Sequence, residues 1–284
     1  MSLLSSSVNG ENGSTISVQD RGLNYGDGLF ETIALVNQKL IFWNLHYQRL
    51  LSGCNTLGIP CPKESDLKTE VERVIDTLVN KKNAVIKIII TRGNSERGYK
   101  AVEKSQPNIV ILLSDYPAYP SKYWLEGVHV KCCQTMLSTQ KQLAGLKHLN
   151  RLEQVLARRE WDDEFQEGLM LDETGQVIEG VMSNLFIVKN KSIITPIIDK
   201  SGVNGIMRNV VLNLCESNGI IAKQEHLNLK QLLDADEVFL TNSIIGIWPV
   251  STLERQSYSV GNATKNLMQL LIKKYFINYA TLSV

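Results

Sequence analysis

The run Asp115-Tyr116-Pro117-Ala118-Tyr119-Pro120-Ser121 constrains the folding of this chain most. Each proline removes a backbone donor and fixes its own φ, so neither a helix nor a central strand continues through the run. Patterned sequence lies on both sides of it. A chain of 284 residues is long for one compact core and sufficient for two. The expectation is an α/β (α+β) chain with a smaller N-terminal domain over 1–115, a linker over 116–121 and a larger domain over 122–284.

Periodicity fills in the elements. Before the break, 30–36 reads as a strand, 37–39 as a turn and 40–43 as the partner strand. Asn44 can then cap a helix that carries Tyr47, Leu50, Leu51 and Cys54 on one face. Leu67, Val71, Val74, Ile75 and Leu78 mark a second amphipathic helix, and the apolar runs 84–90 and 109–113 read as buried strands. After the break, strands are expected at 128–132, 168–172, 184–188, 192–195, 220–225 and 237–240. Helices are expected at 205–215 and 264–275.

Composition narrows the classes of function. The hydrophobic share of 43% and charged share of 21% are those of a globular protein. A net charge of +1, with dispersed lysines and arginines, supplies no basic field for nucleic acid or an anionic membrane. No apolar run reaches membrane-spanning length, and residues 1–10 lack the basic and apolar regions of a signal peptide. Cys54, Cys61, Cys132, Cys133 and Cys215 form no C-x-x-C pair and read as reduced thiols. Four histidines without clustered cysteines argue against a metal site. A cytoplasmic protein acting on a small molecule is the expectation.

Four places carry candidate chemistry. Lys147 stands between Gly145 and an apolar stripe of Leu149, Leu152 and Leu156, which reads as a helix entrance beside buried surface. Desolvation there would lower the ammonium pKa, as an imine-forming or general-base lysine requires. The turn Val203-Asn204-Gly205 leads into a helix start at Ile206-Met207-Arg208, whose free N–H groups favour an anion. Arg49 points away from its helix's apolar stripe, either toward water or toward a phosphate. Glu179 lies between apolar runs, where it either faces water or meets a cation. Two phosphate-loop patterns fail: Tyr99 and Lys100 follow Gly93 to Gly98 where Lys and Ser/Thr are needed, and Gly26-Asp27-Gly28 lacks a third glycine.

Taken in order, the motifs resemble those of the fold-type IV pyridoxal-phosphate (PLP) enzymes, among them the aminodeoxychorismate lyases and the branched-chain and D-amino-acid transaminases. They are Asp20-Arg21-Gly22 through Phe30-Glu31-Thr32, His46-Tyr47-Gln48-Arg49-Leu50, Arg92-Gly93 with Arg97-Gly98-Tyr99, and Leu143 through Gln154. Glu179 with Ser183-Asn184-Leu185-Phe186, and Gly202 through Arg208, complete the set. The resemblance implies a two-domain fold whose larger domain holds a mixed sheet or barrel. It implies PLP bonded to Lys147, with Glu179 at its pyridine nitrogen and Arg49 at its phosphate. Backbone at Gly205, Ile206 and Met207 would complete the phosphate cup, with Asn242 and Ser243 at its far side and Arg151 at the phenolic oxygen. Lys147 and Thr32 would be catalytic, and Tyr25, Arg97 and Tyr99 would bind substrate. Thr32, Arg97-Gly98-Tyr99 and the string from Lys147 to Arg151 resemble the lyases, which implies conversion of 4-amino-4-deoxychorismate to 4-aminobenzoate and pyruvate for folate synthesis. Glu31 is shared with many transaminases, so a class IV aminotransferase is the alternative. The resemblance also implies a homodimer.

Overall fold

The computed structural model describes residues 2–13, 15–79, 81–101 and 105–282. They fall into two units: Met1–Pro117 with Leu146–Asn150, and Ala118–Gly145 with Arg151–Val284. The expected linker is therefore divided between them. Its residues from Ala118 on are built into the second unit, where the Tyr119 ring meets Trp248 edge-on at 4.8 Å.

The first unit is one antiparallel sheet with helices α1 (Arg21–Tyr25), α2 (Trp43–Leu57) and α3 (Glu64–Ile75). Its strands are β1 (Leu3–Val8), β2 (Glu11–Asn12), β3 (Gly28–Val36), β4 (Lys39–Leu40), β5 (Ala84–Thr91) and β6 (Asn108–Asp115), in the order β2-β1-β6-β5-β3-β4. Alternation along β3 buries Leu29, Ile33 and Leu35 on one face. Against them α2 turns Trp43, His46, Tyr47, Leu50 and Cys54. Gly53 lets helix and strand approach closely, since a Cβ there would come within 2.8 Å of Leu29 Cδ1. The helix begins at Trp43, after Phe42 in a left-handed conformation (φ 56°) and without a side-chain cap, so Asn44 does not cap it. The partner strand expected over 40–43 shortens accordingly to Lys39–Leu40.

The second unit holds a nine-stranded mixed sheet. Its strands are β7 (Val128–Cys132), β8 (Glu167–Leu171), β9 (Val177–Gly180), β10 (Asn184–Lys189), β11 (Ser192–Pro196), β12 (Ala222–Glu225), β13 (Glu237–Asn242), β14 (Gly246–Leu253) and β15 (Gln256–Ser257). The order is β12-β11-β10-β13-β14-β7-β8-β9, with β15 on β14. β7 runs parallel to both β8 and β14, and β11 parallel to β12. Helices α4 (Lys122–Leu125), α5 (Leu152–Arg158), α6 (Ile206–Ser217), α7 (Leu229–Leu233) and α8 (Asn262–Tyr275) accompany it. Phe186 and Phe239 stack at 4.9 Å across β10 and β13, and Met207, Val210, Val211 and Leu214 bury one face of α6. No helix among the described residues is long and apolar enough to cross a membrane.

Leu146–Asn150 departs from the expected continuous C-terminal domain, because it packs with the first unit. The free edge of β3 takes it up: Phe30 N–H donates to the Lys147 carbonyl at 2.9 Å, and Leu149 N–H to that of Gly28 at 3.0 Å. This edge pairing satisfies backbone groups that a helix start would otherwise leave open.

Candidate active site

Lys147 consequently lies on an extended segment, not at a helix entrance. Helix α5 starts only at Leu152, and two members of the expected stripe, Leu152 and Leu156, are 75% and 51% exposed. The edge pairing carries the Lys147 ammonium to 4.4 Å from the centroid of the Phe30 ring, a cation–π contact. Phe30 and Thr32 alternate with Glu31 along β3, so Thr32 shares the sheet face of Phe30.

Glu31 faces the other way, toward α2, and is almost fully buried. Its carboxylate accepts from Arg49 Nε at 2.8 Å, from Arg49 Nη2, and from His46 Nδ1 at 2.6 Å. Burial alone would raise its pKa. The Arg49 charge and the His46 hydrogen bond outweigh burial and hold it at about 2. His46 is pushed down, first by burial and then by the charges of Arg49 and Lys147, against the pull of Glu31. It is thus a neutral donor at pH 7. Arg49 is not a solvated arginine: its side chain is 13% exposed and forked onto Glu31. Sequence reading passed over the Glu31–His46 contact, although the three-residue step from His46 to Arg49 puts both on one helix face.

Tyr25, Arg97 and Tyr99 belong to one loop system in the same unit. Buried Arg21 donates to Ser95 Oγ at 3.1 Å and to the carbonyls of Gly98 and Tyr99 at 2.9 and 3.1 Å. Gly98 N–H donates to the Tyr25 hydroxyl at 3.2 Å, and the rings of Tyr25 and Tyr99 lie 5.4 Å apart. Arg97 and Tyr99 point outward, Tyr99 being 87% exposed. The paired arginines Arg21 and Arg92 close on Asp27, each with Nε at 2.8 Å.

The second unit gathers the remaining candidates. Glu179, on β9, is buried and accepts from Val203 N–H at 2.8 Å and Asn184 Nδ2 at 3.2 Å. Two cations act on it: burial lowers the pKa of Arg151, and that of Arg208 to about 10, while the Glu179 charge opposes both shifts. The alternative left open by the sequence is resolved, because Glu179 does not face water. Asn184 also donates to the Val203 carbonyl at 2.9 Å, tying β10 to the turn before α6. Helix α6 starts at Ile206 with Gly205 as its cap, no side-chain cap and no acidic residue in the first turn. The N–H groups of such a start attract an anion. Beside it Thr241 pairs with Asn184 across the strands, and the hydroxyls of Thr241 and Ser201 are buried without a hydrogen-bond partner among the described residues. The Asn242 side chain is turned to structure, donating to the Met182 carbonyl at 3.0 Å and accepting from Ile244 and Ile245 N–H. Ser243 follows it, half-buried. No group of three or more His, Cys, Asp or Glu among the described residues is arranged to hold a metal ion.

A family model described as amino-transferase class IV matches residues 28–253. The chain is 37% identical over 265 residues to an aminodeoxychorismate lyase of Vibrio harveyi, covering 92% of this chain and 97% of that one. It is 31% identical over 265 residues to a putative branched-chain-amino-acid aminotransferase of Methanocaldococcus jannaschii, covering 91% of each. The crystal structure of 4-amino-4-deoxychorismate lyase from Pseudomonas aeruginosa matches with a TM-score of 0.91 at 41% identity, over 96% of this chain and all of that one. The matched span runs from the first residue of β3 to the last of β14, taking in Lys147, Glu179 and the start of α6. The chain belongs to the class IV aminotransferase family.

Proposed function

We propose that this chain is a PLP-dependent carbon–oxygen lyase that converts 4-amino-4-deoxychorismate to 4-aminobenzoate and pyruvate, a step toward folate. The observation that carries the reading is the lysine on the β3 edge, its ammonium against Phe30 and a threonine on the same sheet face. Similarity to lyases at 37% and 41% identity over more than nine-tenths of the chain supports it.

The residues present fit the cofactor. Lys147 offers the amine, Glu179 a buried carboxylate for the ring nitrogen, and the uncapped start of α6 an anion cup at Gly205, Ile206 and Met207. Arg49 adds a guanidinium for the phosphate, with Ser243 and the backbone at Asn242 on the far side of the cup. Arg151 serves the phenolic oxygen. When bound, PLP supplies a sink for the electron pair released as the substrate C–H bond breaks.

The chain's own groups move the proton. The Lys147 amine takes it from the ring carbon that bears the substrate nitrogen. The Glu179 carboxylate keeps the pyridine nitrogen protonated. Lys147, helped by the Thr32 hydroxyl, returns a proton to the departing enolpyruvyl group, and the remaining ring becomes aromatic. Arg97, Tyr99 and Tyr25 receive the substrate carboxylates. The chain works as a cytoplasmic homodimer. Support for the dimer comes from the apolar face of α5, where Leu152, Val155 and Leu156 are more than half exposed in the single chain.

Two incubations test the activity. With 4-amino-4-deoxychorismate, the wild-type holoenzyme is expected to release 4-aminobenzoate, and Lys147→Ala almost none. With an amino acid and 2-oxoglutarate, turnover is expected to be minor. Dominant keto-acid turnover would make the chain a transaminase, and a borohydride-reducible PLP adduct surviving in Lys147→Ala would remove Lys147 from its role.

A further inference from the structure

Glu167 is a fully buried carboxylate with no place in the reaction described above. It is the first residue of β8 and is 1% exposed. The donors that reach it are neutral: Ser183 Oγ at 2.8 Å, Gly168 N–H at 3.0 Å and Met182 N–H at 3.2 Å, with the Val181 backbone acting on it as well. Val181, Met182 and Ser183 form the turn between β9 and β10. The fit is close, because a Cβ on Gly180 would come within 2.3 Å of Ser183 Oγ and 2.9 Å of Glu167 Oε2.

That turn links three candidate site residues. Glu179 stands one residue before it on β9, and Asn184, which donates to Glu179, immediately after it on β10. The Met182 carbonyl inside it receives the Asn242 side chain at 3.0 Å. A carboxylate that grips Met182 and Ser183 thus fixes the segment from which Glu179, Asn184 and Asn242 are all held.

We propose that Glu167 is a positioning residue, whose ionised carboxylate clamps the turn at Met182 and Ser183 and thereby holds Glu179 and Asn184 in register for the cofactor. The proposal rests on the reading of Glu179 as partner of the PLP ring nitrogen. Ionised acceptors make the stronger hydrogen bonds, so the clamp tightens as Glu167 loses its proton. Burial is the main cause that raises this carboxylate, to about 7, with the Ser183 and backbone donors opposing. The titratable groups that feel its charge from neighbouring segments are Tyr119 and Cys133, both pushed up by burial first and by carboxylate charges after it. Both stay neutral while Glu167 titrates and supply no counter-charge.

The test is PLP binding to the apoenzyme by equilibrium dialysis between pH 5.5 and 8.5, for wild type, Glu167→Gln, Glu179→Gln and the double variant. Near pH 8.5, Glu167→Gln is expected to weaken binding about tenfold, the size of one lost charge-assisted hydrogen bond. The ratio to wild type is expected to shrink toward one near pH 5.5, where wild-type Glu167 is itself neutral. The double variant is expected to bind no worse than Glu179→Gln alone, because Glu167 acts through Glu179. A ratio independent of pH, or additive losses, would reduce Glu167 to a structural residue and overturn the proposal. If Glu167→Gln fails to fold by circular dichroism, Ser183→Ala carries the same test, with a smaller loss at pH 8.5 and the same non-additivity. Should Glu179→Gln alone leave PLP affinity and the absorbance of bound PLP unchanged, the reading of Glu179 falls and the proposal with it. An effect of Glu179→Gln without one from Glu167→Gln would remove the proposal alone.

Discussion

The cluster of Glu31, His46 and Arg49 shows what one buried carboxylate decides. A desolvated glutamate is costly, and here an arginine fork and a neutral histidine offset that cost well enough to hold its pKa at about 2. The folded pKa lies below the unfolded value of 4.5. The stabilising contribution is therefore complete above about pH 5 and lost as pH falls toward 2, roughly 3 kcal/mol in all. Replacing Glu31 by Gln strips Arg49 of its anion, and breaking a buried pair in this way costs about 3–5 kcal/mol. Chemical denaturation of the apoenzyme is expected to show that loss at pH 7 and roughly half of it at pH 3, where native Glu31 is still mostly ionised. An equal loss at both pH values would mean that the carboxylate charge contributes nothing. Because Glu31 also aims Arg49, PLP affinity is expected to fall in the same variant.

At the scale of elements, the start of α6 is built around a missing side chain. Gly205 has ordinary φ and ψ (−65°, 142°), so it is space and not backbone freedom that demands glycine there. A Cβ at that position would come within 1.9 Å of Asn184 Oδ1, and Asn184 is the residue that holds Glu179 and the Val203 carbonyl. Gly205→Ala must therefore push Asn184 aside or shift the helix, at a cost of about 1–3 kcal/mol for overpacking. Melting of the apoenzyme is expected to register that cost, and dialysis a loss of PLP affinity. Unchanged PLP binding would show that the cofactor does not use this helix start. Edge pairing of Leu146–Asn150 on β3 belongs to the same scale, since it is a backbone ladder, more than any property of Lys147, that carries the ammonium to Phe30.

For the whole molecule, assembly is the property the single chain leaves open at its surface. Leu152, Val155 and Leu156 present an apolar stripe on α5, and Tyr99 is almost bare. A twofold contact would cover such surface with a second copy of the same surface. Sedimentation at micromolar concentration is expected to give a dimer, and Leu156→Glu to shift it toward monomer with loss of activity. A wild-type monomer with full turnover would remove the dimer and return every substrate contact to one chain.

Residue type and order alone carried the candidate chemistry: a lysine, a glutamate and an arginine in motifs that resemble those of the fold-type IV PLP enzymes. Local periodicity likewise foretold the long buried strands and helices, because burial alternates with a fixed step along each element. Where that step was masked, prediction stopped: serines fill β1, and β14 carries Pro249 in its interior. The tertiary structure decided the rest. It set Lys147 on a strand edge supplied by residues more than a hundred positions earlier, paired Glu31 with an arginine on α2, and buried Glu167 under a turn that begins beyond β9. The physical reason is shared. Whether a polar side chain meets water, a counter-ion or a backbone donor depends on which distant segment packs over it, and no local period records that.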